Sequence, residues 1–246
     1  MHNISKRLVS TGSSASILQG CLKTLIEATH AEGSEASLES DPIQTLKRIL
    51  SHFEAAVQAL IRAVEARDPY TAGHSERVML YSILIGQRLG LSAEELQLLS
   101  MGALIHDIGK VGVPDYVLNK PGKLTDEEFE LVKLHPAVGD RMIEGIPSLA
   151  PMRPIVRWHH EKLNGRGYPD RLEGDEIPLM VRIVTVSDIF DALTSSRSYR
   201  GAMPWQKALD ILREEVESGA LDPKVVEAFA DIINVEGTDL SLLNAA

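Results

Sequence analysis

The chain has 246 residues, 44% hydrophobic and 24% charged, which is the balance of an ordinary globular protein and excludes disorder throughout. That length can bury a substantial core without disulfide or metal staples. Lys and Arg number 25 against 35 Asp and Glu, a formal net charge of −10. This argues against a duplex nucleic-acid binder, and an anionic ligand would need a local site to attract it against the global field.

No apolar run reaches the ~20 residues that span a bilayer, so no membrane segment is expected. Lys6 and Arg7 are followed by no apolar leader core, which makes a secretory signal an unfavoured reading. The single cysteine, Cys21, gives neither a disulfide framework nor a thiolate metal cage. A reducing, cytoplasmic setting is the expectation.

Residues 1–40 are rich in Ser, with one amphipathic helix carrying Ile17, Leu18, Cys21, Leu22, Leu25 and Ile26. Gly33-Ser34-Glu35 then reads as a loop or linker. A second zone, 41–66, opens on Asp41-Pro42, an N-cap followed by Pro at the first helical position. Its apolar positions, Ile43, Leu46, Leu50, Phe53, Val57, Leu60 and Val64, alternate three and four apart as a heptad seam. Two readings fit. One is a helix laid on the domain that follows. The other is a parallel signalling helix that makes a homodimer through 43–64.

The third zone, 67–234, reads as helices separated by loops, with 235–246 as a C-terminal tail. Ser92 to Glu95 and Thr125 to Glu128 are capping boxes that open apolar-periodic runs. Gly90 stands where a C-cap glycine belongs after Val78–Leu89. Ile177-Pro178 and Asp222-Pro223 mark two more helix starts. Val181 to Val186 is β-branched enough to pass for a buried strand, but no partner strand is signalled elsewhere, so it reads as helix. The predicted fold is all-α.

Of eight histidines, five fall in this zone: His74, His106, His135, His159 and His160. His106 is followed directly by Asp107, His159 by His160, and Asp188 interrupts an apolar helix where an isolated charge costs several kcal/mol. A bound cation would partner it. Five imidazoles and two carboxylates exceed the three or four protein ligands of one open catalytic site. They suit two six-coordinate ions sharing a water and a carboxylate, with Asp107 the natural bridge. An N and O ligand set without sulfur favours Fe or Mn, with Zn, Ni and Co also compatible. Two such ions, roughly 3.5–4 Å apart, would turn the shared water into a hydroxide that attacks phosphorus. No G-x-x-x-x-G-K phosphate loop and no G-x-S-x-G elbow occurs, and Cys21 lies outside the motif-bearing region.

After the His pair, Glu161 to Pro169 forms a glycine-bearing loop in which Gly165 and Gly167 permit close backbone approach and Pro169 stiffens the exit. Tyr168 on such a loop either stacks a base, lines a pocket, or simply packs.

Together His106-Asp107-Ile108-Gly109-Lys110, His159-His160-Glu161 and Gly167-Tyr168-Pro169 resemble the HD-GYP domain, a bacterial subgroup of the HD phosphohydrolases. The resemblance runs from about Val64 to Ile233, through Asp188 to Thr194 and Arg197 to Arg200. It implies an HD-type helical bundle that hydrolyses cyclic di-GMP to linear pGpG or onward to GMP. Carried over by position, His74, His106, Asp107 and Asp188 would hold one metal. Asp107, His135, His159 and His160 would hold the second. Lys110 would contact the scissile phosphate, while Arg197 and Arg200 would grip the ligand's phosphates. Gly167, Tyr168 and Pro169 would shape the pocket and, in this family, serve contacts with diguanylate cyclase proteins.

Tyr70 stands where members with a third metal carry Glu, so two ions are expected. Asn164 and Ser198 replace the common Asp and Pro without touching a predicted ligand. Other readings are cyclic GMP-AMP as substrate, a generic HD nucleotidase or phosphatase, and a non-catalytic module that binds messenger or cyclase. The intact Gly-Tyr-Pro loop argues against the generic enzyme, and the full set of seven ligands against the non-catalytic module.

Overall fold

The computed structural model describes residues 48, 59, 61–67, 73–196 and 201–235. The chain divides into two compact units, Met1–Leu60 and Ile61–Ala246. The helix expected in 1–40 and most of the heptad seam lie outside the described residues, as do Tyr70, Arg197, Ser198 and Arg200. The second unit contains the predicted metal ligands.

Among the described residues this unit is all-α, its one β feature being an isolated bridge between Asn164 and Glu173. A first helical stretch, 61–65, precedes α1 (His74–Arg88) and α2 (Ala93–Ile105). A 3-10 turn, Ile108–Gly112, leads into α3 (Asp115–Leu118), α4 (Asp126–Val132) and α5 (His135–Ile143). After a second 3-10 segment come α6 (Arg153–Trp158) and, beyond the glycine-bearing loop, α7 (Leu179–Thr194). The described unit closes with α8 (Trp205–Glu217) and α9 (Pro223–Val235).

Local signals account for many of these boundaries. Ser92 and Thr125 each accept from the backbone N–H three residues on, and Glu95 and Glu128 bond back to the caps, so both expected capping boxes form. Gly90 takes φ +80° one residue past the C-cap of α1, a conformation Gly adopts without penalty. Pro223 opens α9, whereas Pro178 sits one residue before α7, as its N-cap.

The stretch Val181–Val186 is helical. It lies in α7, which packs against α1, α2, α6, α8 and α9 and buries Val181, Ile183, Val184, Val186 and Phe190. A helix packed on most sides carries few polar residues, so the run from Val181 to Val186, polar only at Arg182 and Thr185, shows no clear polar face and mimics a buried strand. Burial outweighs the few tenths of a kcal/mol that β-branching costs per helical residue. Tyr81, Phe190 and Phe229 interlock edge-on near the middle of this core, with centroids 5.4 Å and 4.7 Å apart for Tyr81–Phe190 and Phe190–Phe229.

Two close approaches set the distances on which the site depends. A Cβ on Gly109 would lie 1.9 Å from the His135 carbonyl oxygen and 2.5 Å from the Gly139 nitrogen, so the 3-10 turn bearing Asp107 presses directly on the backbone of α5. A Cβ on Gly167 would meet the Glu161 Cα at 2.4 Å, which brings the loop back over the residue that follows the His pair. Among the described residues, no helix is long and apolar enough to cross a membrane.

Candidate metal centre

Three helix C-terminal turns converge at the centre. His106 caps α2 and His159 caps α6, while His135 comes three residues after Val132, the last residue of α4. The last carbonyls of a helix have no intrahelical donor. Each imidazole supplies one: His106 Nδ1 donates to Ala103 O at 2.6 Å, His135 Nδ1 to Val132 O at 2.7 Å, and His159 Nδ1 to Val156 O at 3.0 Å. A carbonyl only accepts, so Nδ1 carries the proton and Nε2 keeps a lone pair aimed at the centre. Thr185 of α7 donates to the His159 carbonyl at 2.8 Å and ties this histidine to the core.

His74, the first residue of α1, is oriented differently. Its Nδ1 lies 2.7 Å from Asp191 Oδ2, and Arg77 donates to both Asp191 oxygens at 2.6 and 3.1 Å. A carboxylate behind a metal-ligating imidazole is a common outer-shell partner.

The side chains meet in two groups that share Asp107. His74, His106 and Asp107 form one, and Asp107, His135, His159 and His160 the other, with the ligand atoms of each group within 4.8 Å of one another. Asp107 Oδ2 faces His106 and His74 Nε2 at 3.4 and 3.5 Å, and Oδ1 faces His135 Nε2 at 3.2 Å. Asp188 lies between the groups, 3.4 Å from His74 Nε2 and 4.0 Å from His160 Nδ1. Lys110 Nζ reaches Asp107 Oδ2 at 2.6 Å. All seven residues predicted as ligands, and Lys110, are therefore brought together.

The donor set fits a cation. His135 and His159 face each other through Nε2 atoms 3.1 Å apart, and His74 and His106 through Nε2 atoms 3.3 Å apart. Two such nitrogens repel unless a positive charge, a proton or a metal ion, lies between them. The charges agree with this. Burial opposes a proton on His74, but hydrogen bonds to Asp107 and Asp191 and the nearby charge of Asp188 raise its pKa to about 9, so the carboxylates draw positive charge to this imidazole, a proton that a bound cation would displace. Burial would also raise the Asp107 carboxyl, yet Lys110 and His106 hold it well below the usual carboxylate range. His159 and His160 are pushed well below the ordinary histidine value, first by burial and then by neighbouring imidazoles. They stay neutral, as metal ligation requires.

Tyr168 stacks on His160 with centroids 4.8 Å apart and ring planes 26° apart. Burial pushes its phenol up, so it remains a neutral donor at the edge of the centre. Tyr168 also lines an open groove of about 680 Å³, together with Phe129, Lys133 and the rest of the 165–169 loop. Glu161, fully buried, accepts from the N–H groups of Asp170, Arg171 and Leu172 at 2.6, 3.0 and 3.1 Å and fixes the loop's exit.

A family model for the HD domain matches residues 58–225. The chain belongs to the HD domain family. Its His106-Asp107 and Gly167-Tyr168-Pro169 motifs are those for which the HD-GYP group is named, and the chain resembles phosphodiesterases. The chain is 44% identical over 188 residues to 3'3'-cGAMP-specific phosphodiesterase 3 of Vibrio cholerae, covering 75% of this chain and 40% of that protein. It is 39% identical over 194 residues to the cyclic di-GMP phosphodiesterase response regulator RpfG of Xanthomonas campestris, covering 78% and 51%. The chain thus spans about half, or less, of the length of these relatives. Among solved structures, the HDG"Y"P protein Bd1817 of Bdellovibrio bacteriovorus matches the fold with a TM-score of 0.56 at 24% identity, covering 65% of this chain and 51% of that one. HD phosphohydrolases are metal-dependent, and the His/Asp cluster is one that could hold metal.

Sequence reasoning assigned no role to Asp191, Arg77 or Glu161. Asp191 follows Asp188 by three residues on one helix face, a spacing that could have revealed it. Glu161 was visible beside the His pair, but its partners are backbone N–H groups, whose positions no side-chain pattern encodes.

Proposed function

We propose that this HD domain is a cytoplasmic, metal-dependent phosphodiesterase that hydrolyses cyclic di-GMP to linear pGpG. The observation that carries this reading is Asp107, one carboxylate shared between two chelating groups of side chains. His74, His106 and Asp188 would complete one site, and His135, His159 and His160 the other, for two divalent cations, Fe or Mn first. When bound, they supply an acidified water and a counter-charge for the phosphoryl oxygens.

The chain's own residues do the rest. Lys110, already 2.6 Å from Asp107, is placed to hold a phosphate oxygen as negative charge develops and to donate a proton to the departing 3′ oxygen. Water's oxygen joins phosphorus and the P–O3′ bond breaks, leaving a 5′-phosphate on the linear product. Asp191 and the three carbonyls fix which imidazole nitrogen faces the metal centre. Tyr168 and Pro169, held on Gly167, shape the wall beside His160. Arg197 and Arg200 would grip the substrate's phosphates, and the Gly-Tyr-Pro loop would offer a face to diguanylate cyclase proteins. The heptad seam at 43–64 would either lie on the catalytic domain that follows or form a homodimer contact.

The 44%-identical relative named for 3'3'-cGAMP supports a second substrate reading, cyclic GMP-AMP. Chromatography of products from both cyclic dinucleotides, with protein loaded anaerobically with Mn or Fe, tests the proposal. Linear pGpG formed faster than the linear GMP-AMP product supports the first reading. The reverse order favours the second, and no cleavage of either removes both.

A further inference from the structure

We propose that Glu65 and Arg67, two residues apart ahead of α1, act as positioning residues that set the placement of His74 and Lys110. This inference rests on the reading of the His/Asp cluster as the reactive centre. The helical stretch 61–65 ends in a tight turn, with Ala66 N–H donating to Arg62 O and Arg67 N–H to Val64 O. Ile61 is buried, and with Val64 and Glu65 it lines a small cavity whose other wall includes His74, Asp107 and Lys110. The turn therefore lies directly behind the centre.

From this turn two side chains reach two different catalytic elements. The N-cap of α1, Gly73, has no side chain to cap the helix. Glu65 fills that role from outside: its two oxygens accept from Gly73 N–H at 3.2 Å and Ser75 N–H at 3.0 Å, on either side of His74. A carboxylate at a helix N-terminus also meets the positive end of the helix dipole. Arg67 points the other way. Its guanidinium donates to the carbonyls of Lys110, Val111 and Val113 at 3.3, 2.6 and 2.9 Å, and to Asp115 at 2.7 Å. These carbonyls belong to the end of the 3-10 turn that carries Lys110 and follows Asp107. A planar fork with several donors fixes such a group of acceptors in direction as well as distance, which an ammonium cannot do.

Neither side chain belongs to the apolar core, so their work is alignment of the two elements. A displacement of about 1 Å can cost roughly 100-fold in rate. Because both contacts spring from one turn, a shift of 61–67 would move His74 and Lys110 together.

The test uses the full chain with Arg67→Lys, Glu65→Gln and, as control, Asp115→Asn, which removes the exposed ion pair of Arg67 but leaves its carbonyl contacts. Readouts are Mn2+ affinity by electron paramagnetic resonance, Tm, and kcat and KM on cyclic di-GMP and on bis(p-nitrophenyl) phosphate. Arg67→Lys is expected to lower kcat about 10-fold or more while Mn2+ affinity and KM stay within about twofold, and Asp115→Asn to leave kcat within about twofold. Glu65→Gln is expected to weaken Mn2+ binding about 10-fold, with kcat recovered at excess Mn2+. Wild-type kcat in Arg67→Lys, an equal loss in Asp115→Asn, or unchanged Mn2+ affinity in Glu65→Gln overturns the inference. If the wild type cleaves neither substrate, the proposed function fails, while the Mn2+ titration of Glu65→Gln still decides this one.

Discussion

Gly109→Ala is the sharpest test of how the fold sets the metal centre. The added Cβ would lie 1.9 Å from the His135 carbonyl oxygen, with the Gly139 nitrogen at 2.5 Å, and both are backbone atoms that no rotamer change can move. An ordinary carbon–oxygen contact is about 3.3 Å, so the 3-10 turn and α5 must separate by about 1.4 Å. Asp107 and His135 ride on these two elements, with Oδ1 and Nε2 now 3.2 Å apart. The strain lies at the upper end of overpacking costs, about 3 kcal/mol. For a domain of roughly 150–250 residues this lowers Tm by about 6–12 °C. Mn2+ affinity should fall at least about 10-fold, because the shared carboxylate leaves one of its two groups. Gly112→Ala, in the same turn, is the control: its Cβ would meet only the Val138 side chain, at 3.2 Å, which can give way. Differential scanning calorimetry and Mn2+ titration read both variants. A Gly109→Ala protein with wild-type Tm and Mn2+ affinity would refute the reasoning.

Lys110→Ala should lower turnover about 100-fold while bound metal stays within about twofold, since it acts on the phosphate rather than on the ions. A proportional loss of metal contradicts that role. Asp191→Asn removes the carboxylate that accepts from both His74 and Arg77. Metal affinity should drop about 10- to 100-fold by calorimetric titration, and an unchanged affinity would show that the pair only supports the fold. The Asp170 carboxyl is held below its ordinary 3.8, first by hydrogen bonds from Arg157, against burial, and then by Trp158. A depressed carboxylate adds stability above its unfolded pKa and loses it as pH falls through the folded value. The Tm advantage of wild type over Asp170→Asn should therefore be full at pH 6 and shrink below about pH 4, and a constant difference contradicts it.

The side chains of the His/Asp cluster were legible because chemistry restricts the types that could hold a metal. Adjacent pairs such as His106-Asp107 and His159-His160, with Asp188 in an apolar helix, have few uses other than chelation. The helix ends were legible where capping is local, as at Ser92, Thr125 and Gly90. The character of Val181–Val186 was harder to read, because only the surrounding helices explain why it lacks a polar face. The supports behind the ligands were not legible. His106, His135 and His159 are oriented by carbonyls, and Glu65, Arg67 and Glu161 bond mainly to backbone groups, whose convergence exists only after folding. Gly109 appeared within the HD motif, yet its steric role depends on α5, a helix that begins 26 residues later at His135.

Metal analysis of anaerobically purified protein, wild type beside Asp107→Ala, tests the central claim most directly. The account predicts about two equivalents of Fe or Mn per wild-type chain and near-complete loss from both groups in the variant, because one carboxylate serves both. A wild type that retains no metal, or an Asp107→Ala protein that keeps the full load, would contradict it.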